Sequence, residues 1–244
     1  MREQRTQGCR LRLAILPLVL ALVGCNQAAK ALGRREPVQK PVTPTRLLVC
    51  GIDRTGRLGG SRAPETRKAA AHDCAEVVKL AGPGDEVIVR YISDRSAGDD
   101  QEVCRVVLPA APRDCLNKFD KRCSHQALKE RQLLASVRDE AVRKVETADL
   151  TPARHTDIFG FMQAASRDFE REPGRVHELY VASDLDDNKR FKLAPRLNGA
   201  KVTVFLFQNG KDPEGVEARK AKWGQRFREW GAQSVDFRPG QVMR

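Results

Sequence analysis

The sequence contains no nucleotide-binding loop motif and no recognisable motif of nucleophilic catalysis. Neither GxxxxGK[ST] nor GxGxxG occurs, so the chain offers no loop of the kind that cradles phosphate. Only four histidines are present, and none lies in a recognisable nucleophile motif. No CxxC pair occurs, which argues against a zinc site. These absences favour a binding module over an enzyme, although hydrolysis at a single bound metal ion stays open.

The sequence also lacks an apolar run long enough to span a membrane permanently. A shorter run at residues 13–23 follows a stretch with four arginines and precedes Gly24 and Cys25. This order of charged, apolar and small-residue regions predicts a secretory signal peptide over residues 1–24.

The end of this region, Leu22-Val23-Gly24-Cys25, resembles the lipobox of bacterial lipoproteins. In that family the cysteine is lipidated and becomes the new N-terminus, so the resemblance implies a lipid anchor at Cys25. It also implies a cell-envelope location, at the outer membrane or the outer face of the plasma membrane. Residues 25–45 are polar and proline-containing, and they are predicted to tether the anchor to a domain at 46–240. The alternative is an ordinary signal peptide that is cleaved beside a cysteine.

The chain has fewer acidic residues than lysines and arginines, and its formal net charge is +12. The basic residues are scattered and lack the interleaved aromatics of single-strand binders, so no nucleic-acid partner is predicted. In an exported protein the charge favours anionic surfaces such as lipid head groups or cell-wall polymers. A solvated surface is the simpler interpretation.

Cysteine usage predicts disulfides in the exported domain, because an oxidising compartment permits them. Once Cys9 leaves with the signal and Cys25 takes the lipid, five cysteines remain: Cys50, Cys74, Cys104, Cys115 and Cys123. The last three crowd one segment, and we expect one bridge among them. The first two lie at apolar positions of a predicted strand and helix, and they form either a bridge or two buried thiols.

The chain beyond residue 45 alternates predicted strands and helices. The strands are predicted at 46–53, 86–93, 102–108, 176–183, 200–208 and 233–237, and the helices at about 64–81, 124–147, from 156 and from 213. This alternation predicts an α/β fold with a mostly parallel central sheet and helices on both faces. The inner face predicted for the long helix consists of Leu128, Leu134, Val137, Ala141 and Val145. A cysteine-containing insertion is predicted at about 95–123.

Ligands of such sheets bind beyond the carboxyl ends of the strands, and this chain delivers oxygen-bearing side chains there. Asp53 and Thr55 follow the first strand, Thr156 precedes a helix, and Asp184 follows the fourth strand. Hard oxygen ligands in small number, completed by water, suit a magnesium-like ion.

The pattern resembles the von Willebrand factor type A domain, a three-layer, Rossmann-type α/β fold. Its metal-ion-dependent adhesion site has D-x-S/T-x-S after the first strand, a distant threonine before a helix, and an aspartate after the fourth strand. Asp53 and Thr55 match the first element, Thr156 resembles the threonine, and Asp184 resembles the final aspartate. The resemblance implies a Mg²⁺ or Mn²⁺ ion at these residues, whose coordination is completed by an acidic group of a partner protein.

One position departs from the family pattern, because Arg57 replaces the last serine of the first element. Either Arg57 points outward and the site has one ligand fewer, or its guanidinium takes the place of the cation. Ser61 is close enough in sequence to substitute. Separate local roles are the alternative to a shared site: Asp53 as a turn residue and Thr156 as a helix N-cap.

Three functions follow from these patterns. The first is an envelope lipoprotein whose domain binds a partner protein through a divalent cation. The second is a metal-independent structural or interaction protein of the envelope. The third, a minor alternative, is a metal-dependent hydrolase.

Overall fold

The computed structural model describes residues 45–55, 63–115, 119–186, 194–207 and 213–240. The predicted signal peptide, Cys25 and nearly all of the tether lie outside the described residues. Arg57 and Ser61 lie outside them as well.

The described chain forms a six-stranded sheet with four long helices. In chain order these are β1 (Arg46–Asp53), α1 (Ala63–Leu80), β2 (Glu86–Ile92), β3 (Glu102–Val107), α2 (Lys121–Glu146), α3 (Ile158–Arg171), β4 (Val176–Ser183), β5 (Lys201–Leu206), α4 (Pro213–Glu229) and β6 (Ser234–Pro239). The strand order is β3-β2-β1-β4-β5-β6, and β3 alone among them is antiparallel to its neighbour. The predicted α/β fold with a mostly parallel sheet is therefore confirmed. None of the four helices is long and apolar enough to cross a membrane.

The central strand β1 is buried on both faces of the sheet. Leu48, Cys50 and Ile52 pack in the layer formed with α1 and α2. Leu47 and Val49 pack in the opposite layer, formed with α3 and α4. This double burial explains why β1 is a nearly continuous apolar run rather than an alternating one.

Gly51 allows α3 to pack directly on β1. A Cβ atom at position 51 would lie 2.7 Å from Cζ of Phe161 and 2.9 Å from Cδ1 of Ile92. Phe161 is fully buried there. The missing side chain thus fixes how closely the start of α3 approaches the end of β1.

A buried ion pair attaches α3 to the edge of the sheet. Nη2 of Arg90 in β2 lies 3.1 Å from Oδ2 of Asp168, and the two side chains are 3% and 1% exposed. Arg105 of β3 reaches the other oxygen of Asp168 at 3.0 Å. One carboxylate of α3 therefore accepts hydrogen bonds from two neighbouring strands.

Two disulfides connect the described cysteines. Cys50 and Cys74 form a disulfide that joins β1 to α1. Of the two alternatives left open by the sequence, a bridge or two buried thiols, the bridge is therefore the one found. Cys115 and Cys123 form the bridge expected in the crowded segment. Cys104 is a buried thiol. Two disulfides are typical of proteins of oxidising compartments.

The long helix α2 buries fewer residues than predicted. Leu134 and Val137 pack against the core, and Ala141 and Val145 are buried, but Leu128 is 51% exposed. Ala127, seven residues before Leu134, occupies the inner face instead and is 5% exposed. Because seven residues complete almost two turns and six do not, Leu128 points away from the core.

Candidate functional site at the carboxyl edge of the sheet

Asp53, the last residue of β1, is completely buried. Its Oδ1 accepts a hydrogen bond from the backbone N–H of Thr55 at 2.9 Å. Its Oδ2 accepts one from the hydroxyl of Ser183 at 2.6 Å. The predicted turn role of Asp53 is therefore real, and it uses only one of the two carboxylate oxygens.

Asp184 lies at the same edge, directly after β4, which pairs with β1. It is 8% exposed, and its Oδ1 accepts the backbone N–H of Asp186 at 3.0 Å. The preceding hydroxyl, that of Ser183, accepts the N–H of Leu185 at 3.0 Å while it donates to Asp53. The structure thus brings together two of the predicted ligands, and Ser183 lies between them.

The two carboxylates influence each other electrostatically. The pKa of Asp53 is raised to about 7, first by burial and then by the nearby charge of Asp184, while hydrogen bonds from Ser183 and Thr55 act to lower it. Burial also raises the pKa of Asp184. Neither carboxylate forms a salt bridge with a lysine or arginine in the described part of the chain, although the nearby charge of Arg219 acts to lower the pKa of Asp184. The edge therefore offers buried negative charge that a proton or a cation can neutralise.

Thr55 and Thr156 are both buried, each 3% exposed. Thr55 pairs with Ala153 in an isolated bridge, and the N–H of Ala153 donates to the carbonyl of Arg54 at 3.0 Å. The N–H of His155 donates to a carboxylate oxygen of Asp94, which follows β2. The segment that ends at Thr156 is therefore attached beside the carboxyl ends of β1 and β2.

The start of α3 is capped by Asp157 and not by Thr156. Asp157 Oδ1 accepts the N–H of Gly160 at 2.9 Å, as an N-cap residue does. A Cβ at position 160 would lie within 2.4 Å of the other Asp157 oxygen, so glycine is required there. Capping therefore does not account for Thr156.

Arg54, which lies between Asp53 and Thr55, is held mainly by contacts within the protein. Its guanidinium carbon lies 4.4 Å from the centroid of the Tyr91 ring. Its Nη1 lies 3.9 Å from Oδ2 of Asp149, and its side chain is 20% exposed. One face of the Arg54 guanidinium thus stacks on Tyr91, and no sequence pattern predicts this contact.

The donor atoms at this edge fit a hard divalent cation better than a soft one. Across the described ranges, no group of three or more His, Cys, Asp and Glu side chains is placed to hold a metal ion. The predicted set has only two carboxylates, so hydroxyl and water oxygens would complete the coordination, as Mg²⁺ commonly accepts. Ser183 was not among the predicted ligands. Its only sequence signal is its position beside Asp184 at the end of a predicted strand.

The solved structures that are similar to this chain include one bacterial and one human protein. No protein-family model matches the sequence, and no curated protein is significantly similar to it. A von Willebrand factor type A protein from Catenulispora acidiphila is 14% identical with a TM-score of 0.38, and the match covers 81% of this chain and 33% of that one. The human COPII-coat protein Sec24c is 13% identical with a TM-score of 0.35, covering 82% and 30%. This chain spans about a third of the length of each, and the similarity carries no functional conclusion.

Proposed function

We propose that this chain is a cell-envelope lipoprotein whose α/β domain binds a partner protein through a divalent cation at the carboxyl edge of the sheet. The supporting observation is the pair of buried carboxylates, Asp53 and Asp184, at the adjacent ends of β1 and β4. Each lacks a salt-bridge partner within the described residues, and the charge of Asp184 raises the pKa of Asp53. A divalent ion would satisfy both charges at once.

The proposed ligands are Asp53, Thr55, Thr156 and Asp184, with Mg²⁺ or Mn²⁺ as the ion. Four protein oxygens leave positions of an octahedral ion open to water. An acidic side chain of the partner protein would displace one of these waters. Binding of the partner would then require both the metal and a carboxylate on the partner. Ser183 would position Asp53 through its 2.6 Å hydrogen bond.

Anchoring at Cys25 would place this domain at the surface of a membrane. The lipobox-like sequence before Cys25 supports the anchor. The disulfides Cys50–Cys74 and Cys115–Cys123 support a location outside the reducing cytosol. Mass spectrometry of the purified chain tests this part directly, because a diacylglyceryl group on Cys25 adds a defined mass.

The metal-dependent part is tested by the melting temperature of the full chain in Mg²⁺ or Mn²⁺ and in chelator. A ligand at a hundred times its Kd stabilises a protein by about 2.7 kcal/mol, which corresponds to a rise of roughly 5–10 °C for a domain of this size. Asp53→Ala and Asp184→Ala should abolish the rise. Asp149→Asn, which removes a carboxylate that is 69% exposed, is the matched control and should keep it.

Calorimetric titration with Mn²⁺ provides a second measurement, because Asp53→Ala changes stability by itself. The proposal fails if neither ion raises the melting temperature at millimolar concentration. It also fails if Asp53→Ala and Asp184→Ala bind Mn²⁺ as the parent protein does.

A metal-independent binding module is the second candidate. It is favoured by the pKa of Asp53 at about 7, because a proton can then neutralise this residue in place of a cation. Partner binding that survives chelator would select it over the first candidate.

A further inference from the structure

The first half of α2 protrudes at the end of the domain opposite the candidate site. Strand β3 runs antiparallel to β2, and its last residue, Val107, pairs with Glu86, the first residue of β2. The chain therefore leaves β3 at the amino edge of the sheet. Midway along α2, Nη2 of Arg138 donates to the carbonyl of Ala81, just beyond the end of α1. The half of α2 that precedes Arg138 is about 25 Å long.

Residues 119–133, called the basic arm below, bury one side chain, that of Ala127. The arm is nevertheless fastened at several points. Arg113 donates its backbone N–H and its Nε to Glu130 at 2.9 and 3.0 Å. The Cys115–Cys123 disulfide joins the first turn of α2 to the segment that precedes the helix. The arm is therefore held in place by specific contacts, although packing in the core does not explain why it is there.

The basic arm exposes large apolar side chains. Phe119 is 91% exposed, Leu128 51% and Leu133 54%. The two leucines are five residues apart on α2, which separates them by about 140° around the helix. They do not form the single apolar stripe that a partner helix or groove would require. Phe119 lies before the first residue of α2, so it can enter a bilayer interface without such a stripe.

The exposed charges of the arm are mainly positive: Lys121, Arg122, Lys129 and Arg131. The two carboxylates of the arm are already engaged. Asp120 caps α2 by accepting the N–H groups of Arg122 and Cys123, and Glu130 binds Arg113.

Two of these cations are placed against the preference of the helix that carries them. The first turn of α2 contains Lys121 and Arg122 and no acidic residue. Cations at a helix N-terminus oppose the helix dipole, so helix stability does not explain them. Contact with an anionic partner would explain these two cations.

The predicted tether joins the domain at the end from which the arm protrudes. Arg46, the first residue of β1, forms a 2.7 Å ion pair with Asp85, whose carbonyl accepts the N–H of Leu108 at 2.8 Å. The stretch from Cys25 to Arg46 can span at most about 70 Å. A lipid on Cys25 would therefore keep the domain within reach of the bilayer, where even weak contacts are effective.

We propose that the basic arm docks on an anionic lipid bilayer. Phe119 enters the interface, and the lysines and arginines contact the head groups. Because Asp53 ends β1 and Arg46 begins it, this orientation directs the candidate site away from the membrane. The proposal goes beyond the proposed function and uses the anchor at Cys25 only to explain proximity.

The test is flotation of residues 26–244, which lack both the apolar signal region and the lipidated cysteine, with vesicles that contain phosphatidylglycerol or only phosphatidylcholine. We expect salt-sensitive binding to the phosphatidylglycerol vesicles alone. Lys121→Glu/Arg122→Glu should bind at least about 30-fold more weakly, since each lost basic residue near an anionic surface contributes about fivefold and the added carboxylates are repelled. Phe119→Ser should weaken binding as well. Lys222→Glu/Arg228→Glu makes the same charge change on exposed positions of α4 and should bind as the parent does.

The melting temperature separates docking from a folding defect. Lys121→Glu/Arg122→Glu should melt no lower than the parent, because acidic residues suit a helix N-terminus. The proposal is overturned if the parent binds neither kind of vesicle, or if both double variants bind equally. It is also overturned if a photocrosslinker at position 119 reacts with a protein in cells while the vesicles stay unbound. No lipid anchor and no added metal enter this test, so its failure is distinct from failure of the proposed function.

Discussion

The hydroxyl of Ser183 donates a 2.6 Å hydrogen bond to Oδ2 of Asp53 and so joins the carboxyl ends of β4 and β1. The hydroxyl oxygen of Ser183 also accepts the N–H of Leu185, in the turn that follows Asp184. Leu185 has a positive φ of 60°, and its carbonyl accepts the indole N–H of Trp223 at 2.9 Å. Ser183 therefore orients one carboxylate directly and the other through the turn that carries it.

Ser183→Ala should destabilise the chain by about 1–3 kcal/mol, because it leaves a buried oxygen of Asp53 and the N–H of Leu185 without a partner. It should also weaken divalent-ion binding. Urea denaturation measures the first effect and Mn²⁺ titration the second. Ser136→Ala removes an exposed hydroxyl that bonds the carbonyl of Leu133, and it should change stability by less than about 0.5 kcal/mol. Equal effects of the two variants would contradict the positioning role of Ser183.

Stability without added metal should fall as the pH rises from about 4 to above 7. Asp53 has a pKa of about 7 when folded and an ordinary value of 3.8, so the folded state holds a proton that the unfolded state releases. The stabilisation is complete below the unfolded pKa and is lost as the pH passes the folded one, with an upper bound of about 4 kcal/mol. Denaturation at pH 5 and pH 8 in chelator measures this difference.

Asn at position 53 provides the control for this pH dependence, because it cannot ionise. Asp53→Asn should flatten the pH profile and be more stable than the parent at pH 8. Asp149→Asn, at an exposed carboxylate, should leave the profile unchanged. A profile that stays steep in Asp53→Asn would assign the dependence to other groups, Asp184 first among them.

Asp168→Ala should be strongly destabilising, by about 3–5 kcal/mol, because it leaves the buried guanidinium of Arg90 without its closest partner. Thermal or urea denaturation measures the loss. Glu217→Ala removes a carboxylate that is 72% exposed and paired with Lys220, and it should cost no more than about 0.5 kcal/mol. A small effect of Asp168→Ala would show that Glu102, 3.4 Å from Arg90, replaces Asp168 as its partner.

The two disulfides should contribute unequally to stability. The bridges close loops with sequence separations of 24 and 8 residues, for which loop-closure entropy gives about 3.5 and about 2.5 kcal/mol. Cys50→Ala/Cys74→Ala also creates a cavity in the core and should lower the denaturation midpoint more than Cys115→Ala/Cys123→Ala does. The reverse order would mean that the segment before α2 contributes more to global stability than its exposure implies.

Local patterns were sufficient to predict the fold, and long-range contacts were not. The apolar run of β1 and the 3.6-residue periodicity of α1 and α3 each specify a strand or helix with a buried side. The contacts Ser183–Asp53 and Arg90–Asp168 join residues 130 and 78 positions apart. No periodicity reports such pairs. Arg90 lies within an apolar strand, and its sequence context contains nothing that identifies the carboxylate it meets.

Local patterns also misplaced one side chain and left another question open. Leu128 was assigned to the inner face of α2, although the helical repeat places Ala127 there. The pairing of Cys50 with Cys74 could not be decided, because apolar positions suit a thiol and a disulfide equally. The position of Asp184 near Asp53 was predictable, since both follow strands of one parallel sheet.

Gly51 influences the candidate site through packing, although it contacts none of the proposed ligands. Phe161 occupies the volume that any larger residue at position 51 would need. Alanine there would have to displace the Phe161 ring and the end of the Ile92 side chain, and so would disturb the packing of α3 on the end of β1. The packing below the carboxyl edge thus depends on a contact in the core. A comparison of surface residues alone would overlook this contact.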